Sequence, residues 1–333
     1  MLQQAGADSD APEVQQWGQR LLAVTMEPED DWVGFLTLLT QDAGLSGDRR
    51  AAAVQARGIV HGQADRYELA LADFDRALEL RPDYEDALGG RGVTFRLMER
   101  YEDALADFTR VIDLDPNVAR AFAHRGKTYR LMERYEDALA DLTRAIDLDP
   151  NYAWAIIHRG GTYWRMGRYE EALADLTRAV ELDPEDVRAI GGRGLTYRAM
   201  GRHEEALADF THAIDLDPEE DWLRYELAVT YLQLGDHDNA QAALRHAIEL
   251  GTQELSAKGA TVRRLSNLAL YHLAAGEVER SNGLWAQAFA LPDATAYIRG
   301  TALDDLRDLK SALPDDATID GCLRFMMDRF TTD

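Results

Sequence analysis

The sequence predicts an all-α solenoid made of copies of one helix-turn-helix unit, and three observations carry that reading. Pro82, Pro116, Pro150, Pro184 and Pro218 stand 34 residues apart, and a strict period of this length means one supersecondary unit in tandem. Small residues keep the period: Gly58, Gly92, Gly126, Gly160 and Gly194 in one column, and Ala70, Ala104, Ala138, Ala172, Ala206 and Ala240 in another. Large residues keep it too. Phe74, Phe108, Leu142, Leu176, Phe210 and Leu244 form one column, and Phe95, Tyr129, Tyr163, Tyr197 and Tyr231 a second. Each unit therefore reads as two amphipathic helices. The small columns belong where the paired helices cross, since only small side chains let two backbones approach. The large columns fill the space between units.

Taken in order, residues 1–12 are small and acidic and read as disordered. Residues 13–26 and 29–43 read as helices with one apolar face each (Val14, Trp17, Leu21, Leu22; Trp32, Phe35, Leu36, Leu39). They lack the glycine and alanine columns, so residues 1–50 are assigned as a disordered start plus a helical N-terminal cap. Six repeats follow at 51–84, 85–118, 119–152, 153–186, 187–220 and 221–254. About seven extra residues come next. Leu268, Ala269, Gly276, Trp285 and Ala288 then mark a degenerate seventh repeat over 255–293. Segments 294–312 and 316–330, with Pro314 between them, complete 294–333 as C-terminal capping helices. Atypical terminal units are expected of caps.

The columns resemble the tetratricopeptide repeat (TPR) family over residues 51 to about 254, with six landmarks in register. The resemblance implies a right-handed superhelical α-solenoid of TPR helix-turn-helix repeats. It also implies that the first helix of each repeat lines a concave groove offered to a protein or peptide partner.

Local chemistry sets the unit boundaries. In Asp147-Leu148-Asp149-Pro150 the residue before proline is pushed out of the helical region, which ends the helix. Pro150 then suits the first position of the next helix, with Asp149 as its N-cap. Between the paired helices, Gly167, Gly201 and Gly235 suit a left-handed C-cap, while Glu99 and Glu133 occupy that place in the second and third repeats.

Composition excludes several classes. A net charge of −24 argues against nucleic acid as the main partner, because neutralising phosphates needs a basic surface. The single cysteine, Cys322, rules out a disulfide within the chain, and a buried, inert thiol is expected. The first fifteen residues hold no basic cluster or apolar run, and no segment reaches membrane-spanning length, so a cytoplasmic location is expected. Only Lys127, Lys258 and Lys310 are lysines among 36 basic residues. That bias, with the abundant alanine, points to a high-GC bacterial genome.

The resemblance places the second, fifth, sixth, ninth, twelfth and thirteenth positions of each repeat in the groove. In the second to fifth repeats these hold Arg96, Arg120, His124, Lys127, Arg130, His158, Arg165, Arg188 and Arg198, and the only acid is Asp86. Trp154 and Trp164 share these positions, and Trp222 follows in the sixth repeat. An acidic chain thus carries a basic, aromatic groove, which favours an acidic or carboxylate-bearing peptide anchored near Trp154 and Trp164. The plainer reading is that this genome simply favours arginine as a helix former. One TPR mode grips a chaperone's C-terminal carboxylate with lysines and asparagines. The corresponding window here holds His124, Lys127, His158 and Arg188 and no asparagine.

A second arginine column, Arg57, Arg91, Arg125, Arg159 and Arg193, accompanies an aspartate column, Asp73, Asp107, Asp141, Asp175 and Asp209. The sixth repeat loses both at once, to Leu227 and Ala243. Joint loss marks them as structural ion pairs, within or between repeats; a ligand-binding ladder is the alternative. Gly89-Gly90-Arg91-Gly92 and Gly191-Gly192-Arg193-Gly194 mimic phosphate loops, but no strand precedes them. Gly89, Gly90, Gly191 and Gly192 either widen the groove or pack against a neighbouring repeat. The histidines are scattered without metal-ligand spacing. The acid pairs Glu102-Asp103, Glu136-Asp137 and Glu170-Glu171 suit the positive ends of second helices, and their recurrence argues against an active site. No nucleophile–base pair appears. The expected class is a non-catalytic interaction scaffold or adaptor without cofactor or metal, with self-association left open. The alternative is a sensor or regulatory module of a bacterial signalling or NTPase system. Arg96–Asn117 and Arg130–Asn151 are nearly identical, a sign of recent duplication.

Overall fold

The computed structural model describes residues 29–41, 44–291, 302–314 and 316–330. The helix expected over 13–26, and residues 294–301 of the helix expected over 294–312, lie outside them. The described residues hold 17 α-helices and no strand. The chain divides after Pro150 into two compact units.

The N-terminal unit opens with α1 (Glu29–Gln41). Three helix pairs follow: α2 (Gly47–Gln63) with α3 (Tyr67–Leu80), α4 (Glu85–Leu97) with α5 (Tyr101–Leu114), and α6 (Ala119–Leu131) with α7 (Tyr135–Leu148). The C-terminal unit holds four more pairs. These are α8 (Ala153–Arg165) with α9 (Tyr169–Leu182), α10 (Val187–Ala199) with α11 (His203–Leu216), α12 (Asp221–Gln233) with α13 (His237–Lys258), and α14 (Val262–Ala274) with α15 (Val278–Phe289). Helices α16 (Leu303–Ala312) and α17 (Ala317–Phe330) end it. Within each unit the paired helices pack on their neighbours in sequence, and successive first helices also touch one another. This is the consecutive pair packing of a helical repeat array.

The turn inside each pair is a left-handed cap. Gly167, Gly201 and Gly235 have φ of +70°, +71° and +75°. Asp65, Glu99 and Glu133 adopt φ of 55°, 59° and 58° at the same place. Hydrogen bonds hold Glu99 there: its own N–H donates to the Arg96 carbonyl at 3.1 Å, and that of Arg100 reaches back to the Phe95 carbonyl at 2.9 Å. The cap geometry therefore outweighs the roughly 1–3 kcal/mol cost of a left-handed non-glycine residue.

The small and large columns meet as expected. A Cβ on Gly126 would lie 2.8 Å from Leu142 Cγ and 3.1 Å from the Ala138 carbonyl oxygen, so α6 and α7 cross in near contact there. Phe74 fills the gap between pairs: a Cβ on Gly58 would meet its ring at 3.0 Å and one on Gly90 at 2.6 Å. The glycine alternatives resolve position by position. Gly90, Gly191 and Gly192 are packed, against Phe74, Trp222 and Leu176 respectively, while a side chain at Gly89 would meet nothing within 4 Å.

One boundary needs correction. Asp149 does not cap the following helix. It is the extended C-cap of α7 (φ −135°, ψ 95°), and α8 opens only at Ala153. Equivalent aspartates show why. Asp115, Asp183 and Asp217 each accept from the backbone N–H two residues on, at 2.9, 3.1 and 3.2 Å. In those three the carboxylate is occupied by an Asx turn around the proline and does not reach the next helix.

At the C-terminus, α16 packs on α12 and α14 as well as on α17. Its Leu303, Leu306 and Leu309 are buried. Cys322 on α17 is buried, and burial pushes its thiol up.

Candidate functional site

The arginine and aspartate columns form five forks inside the helix pairs. Arg57–Asp73, Arg91–Asp107, Arg125–Asp141, Arg159–Asp175 and Arg193–Asp209 each use Nε and Nη2 against both carboxylate oxygens at 2.6–2.9 Å. The geometry is the bidentate one that only arginine offers. The hydrogen bond to the partner aspartate raises the pKa of Arg57, Arg91, Arg125 and Arg193. Burial first, with the nearby charges of Asp75 and Asp103, pushes the Asp107 carboxyl up, and its bidentate Arg91 partner opposes that rise. These arginines are already matched, so the column is scaffold and not a ligand ladder.

A third arginine column escaped the sequence reading although it has the same period. Arg100, Arg134, Arg168 and Arg202 sit at the turn of each pair. Each guanidinium lies 4.3–4.5 Å from the ring centroid of Phe95, Tyr129, Tyr163 or Tyr197. Each also bonds the acid three residues on, Asp103, Asp137, Glu171 or Glu205. The acid pairs opening the second helices thus clamp the turn as well as meeting the helix dipole. Thr94, Thr128, Thr162, Thr196 and Thr230 form another unread column, buried and donating to the carbonyl four residues back.

On the first-helix face of the N-terminal unit, α4 and α6 bring Arg96, Arg120 and Lys127 near His124, and Arg130 lies about one turn beyond Lys127 on α6. Arg120 reaches Asp86 at 2.9 Å, both ends half-exposed. His124 stacks on Phe108, with ring centroids 5.5 Å apart. Burial first, then the charges of Arg96, Arg120 and Lys127, push the His124 imidazole down to about 3, so it is neutral at physiological pH. Arg96 differs from the ladder arginines. It has no carboxylate partner among the described residues, and its Nε is buried without a hydrogen bond. Burial lowers its pKa, countered only by the nearby Tyr101.

The C-terminal unit places its site residues less uniformly. Trp154 stacks on Tyr152 at 6.1 Å and meets His158 edge-on at 4.0 Å. Arg165 lies 5.6 Å from the Trp164 ring, whose buried indole N–H has no acceptor among the described residues. Arg188 is exposed and bonds Asp186 at 2.9 Å. Trp222 covers Gly191. Arg198 is buried, bonded to Glu226 at 2.8 Å and to Asp308 of α16 at 3.3 Å. It is part of the seat of α16 and not of an open surface. The period did not show this, because Asp308 lies outside the repeats.

Among the described residues no group of three or more His, Cys, Asp or Glu is placed to hold a metal ion, and no helix is long and apolar enough to cross a membrane.

Family models described as tetratricopeptide repeat match residues 56–118, 119–152, 159–221 and 197–260, more than half of the chain. Many solved structures are similar. A tetratricopeptide repeat protein from Parabacteroides merdae ATCC 43184 is 18% identical, with 83% of this chain and 98% of that one covered and a TM-score of 0.54. TTC0263, a thermophilic TPR protein in Thermus thermophilus, is 25% identical, with 55% and 99% covered and a TM-score of 0.49. No curated protein matches.

Proposed function

We propose that this chain, which belongs to the tetratricopeptide repeat family, is a non-catalytic interaction scaffold that takes an acidic or carboxylate-bearing peptide segment. The first-helix face of α4 and α6 receives it. The observation that carries this reading is Arg96. Arg96 is half-buried, its Nε is buried without a hydrogen bond, and burial lowers its pKa with no carboxylate to offset it among the described residues, in a chain of net charge −24. An incoming carboxylate supplies the missing partner, and Arg120 and Lys127, which act on His124 as Arg96 does, add positive charge nearby. His124, neutral and stacked, offers a hydrogen-bonding ring instead of a further charge. Trp154 and Trp164 belong to the C-terminal unit and are not part of the site proposed on α4 and α6.

The test uses a panel of labelled acidic decapeptides, with free and amidated C-termini, against the wild type and Arg96→Gln/Lys127→Gln. Selected peptides are expected to bind more weakly as salt rises. The double variant is expected to lose roughly tenfold to a hundredfold in affinity, because a hydrogen bond to a charged group contributes about 1.5–3 kcal/mol. Bound carboxylate should also raise the His124 pKa from about 3, readable as a site-resolved shift in an NMR titration. Peptides that bind both proteins equally, or leave His124 unmoved, refute the proposal.

A second reading, a regulatory module, is favoured by α16. This acidic helix of the chain itself covers the first-helix face of α12 and α14 and meets Arg198 through Asp308. A partner that competes for that seat would be sensed by release of α16.

A further inference from the structure

A cavity of ≈ 190 Å³ lies among α1, α2 and α3, lined by Thr40, Arg50, Val54, Arg57, Arg76 and Leu80. Three of these residues are arginines and none is an acid. Arg57 is matched by Asp73 and donates its remaining nitrogen to Thr37 Oγ1 at 2.9 Å. Arg76 meets only Glu79 on its own helix, with both side chains exposed, so that pair contributes little. Arg50 has no carboxylate partner among the described residues, and its Nε is buried without a hydrogen bond.

The next helix pair shows what this place looks like when it is closed. Thirty-four residues on from Arg49 and Arg50 stand Asp83 and Tyr84. Arg110, the counterpart of Arg76, reaches Asp83 across the pair at 2.6 Å. Tyr84 packs against an apolar cluster, with Arg81 4.8 Å from its ring centroid. Leu88, the counterpart of Val54, is buried and shares a cluster with Leu114 and Val118. The second pair therefore fills the place with apolar volume and two acids, Asp83 on Arg110 and Asp75 on Arg91, the counterpart of Arg57. In the first pair the first of these acids has become arginine, the tyrosine has become arginine, and the leucine has lost a methylene.

We propose that the cavity is an oxyanion site that takes a phosphate group, with Arg50 and Arg76 as its ligands and Arg57 as a fixed positive wall. A carboxylate can satisfy one guanidinium fork, whereas a phosphate dianion offers oxygens to both at once. The volume suffices, since a water takes about 30 Å³ of liquid, so a tetrahedral oxyanion enters with water to spare. A bound anion also gives the half-buried Arg50 the counter-ion it lacks among the described residues. The site is separate from the first-helix face and stands or falls without it.

Isothermal titration of the full chain with inorganic phosphate tests this, with chloride at matched ionic strength as the reference. One saturable site and a raised thermal midpoint are expected with phosphate and not with chloride. Arg50→Tyr, which copies the second pair, should raise the Kd at least tenfold while leaving the unliganded midpoint unchanged or higher. Arg76→Gln, an exposed position that folding tolerates, should weaken binding in the same direction. O-phosphoserine and a phosphoserine peptide give the source. Equal affinity for all three means that the phosphate group alone is read, and tighter peptide binding means a phosphorylated chain; either outcome supports the site. Absence of saturable binding above chloride, or unchanged affinity in both variants, overturns it.

Discussion

Breaking one fork of the ladder tests how the array is held together. Arg125 bonds Asp141 through Nε and Nη2 at 2.7 and 2.9 Å, with side-chain exposures of 18% and 10%. Removing one member of a buried pair typically costs about 3–5 kcal/mol, because the other charge is stranded. The two members are not stranded equally. In Asp141→Ala the guanidinium keeps Thr109 Oγ1 at 3.1 Å and the Phe122 ring at 5.7 Å. We therefore expect about 2–3 kcal/mol for this variant, at or just below the low end of that range. In Arg125→Leu the carboxylate has no other donor among the described residues, so about 3–4 kcal/mol is expected. The double variant Arg125→Leu/Asp141→Ala copies what the chain does at Leu227 and Ala243. Apolar replacement of a whole buried pair is often neutral, so it should lie within about 1 kcal/mol of wild type.

A repeat array opens locally, so native-state hydrogen exchange of the α6 and α7 amides is the right readout, with a urea melt as support. With these values the cycle should give a coupling of at least about 4 kcal/mol, the sum of the singles less the double. A double variant as unstable as the sum of the singles would refute the argument. It would mean that the forks are incidental to packing.

Two further outcomes follow from the geometry. Gly126→Leu places its Cβ 2.8 Å from Leu142 Cγ and 3.1 Å from a backbone oxygen that cannot move aside; a loss at or above the usual overpacking cost of about 1–3 kcal/mol is expected in a thermal melt, spreading to the neighbouring pair α4 and α5. Burial, then a 2.6 Å hydrogen bond to Asp65, push the Tyr67 phenol up to about 12. A raised native pKa means this stabilisation is complete below the unfolded value of about 10 and is lost as pH climbs toward the native one. Comparing ultraviolet titrations and urea midpoints of wild type and Tyr67→Phe across that window checks it. The stability difference should shrink with rising pH.

The period made most of the scaffold legible. A column of one residue type at a fixed spacing is a statement about one environment repeated, so the glycine crossings, the large fillers and the arginine–aspartate forks could be read without coordinates. Failures cluster where a residue has two local uses. Asp149 could cap a helix or close an Asx turn around Pro150, and the competition is decided by backbone geometry that sequence does not show. Gly89 and Gly90 are adjacent, yet one faces open space and the other faces Phe74, because the helical twist separates them. The seat of α16 was not legible at all. Its leucines announce an apolar face but carry no information about which surface covers it.

The same limit governs the site. Arg91 and Arg125 have an aspartate sixteen residues on, whereas Arg96 and Arg130 have Ile112 and Ile146 there. A charged column without a matching column of opposite charge is not neutralised by the repeat itself. It must meet solvent, another part of the chain or a partner. Arg198 belongs to that unmatched column, with Ile214 sixteen residues on, and it is neutralised by Glu226 and by Asp308, one of them outside the repeats. Arg96 occupies the equivalent place and has no carboxylate partner among the described residues. The C-terminal unit thus shows within this chain how such an arginine is matched when a segment lies on the first-helix face. An acid brought by that segment reaches it, which is the role assigned to the peptide on α4 and α6.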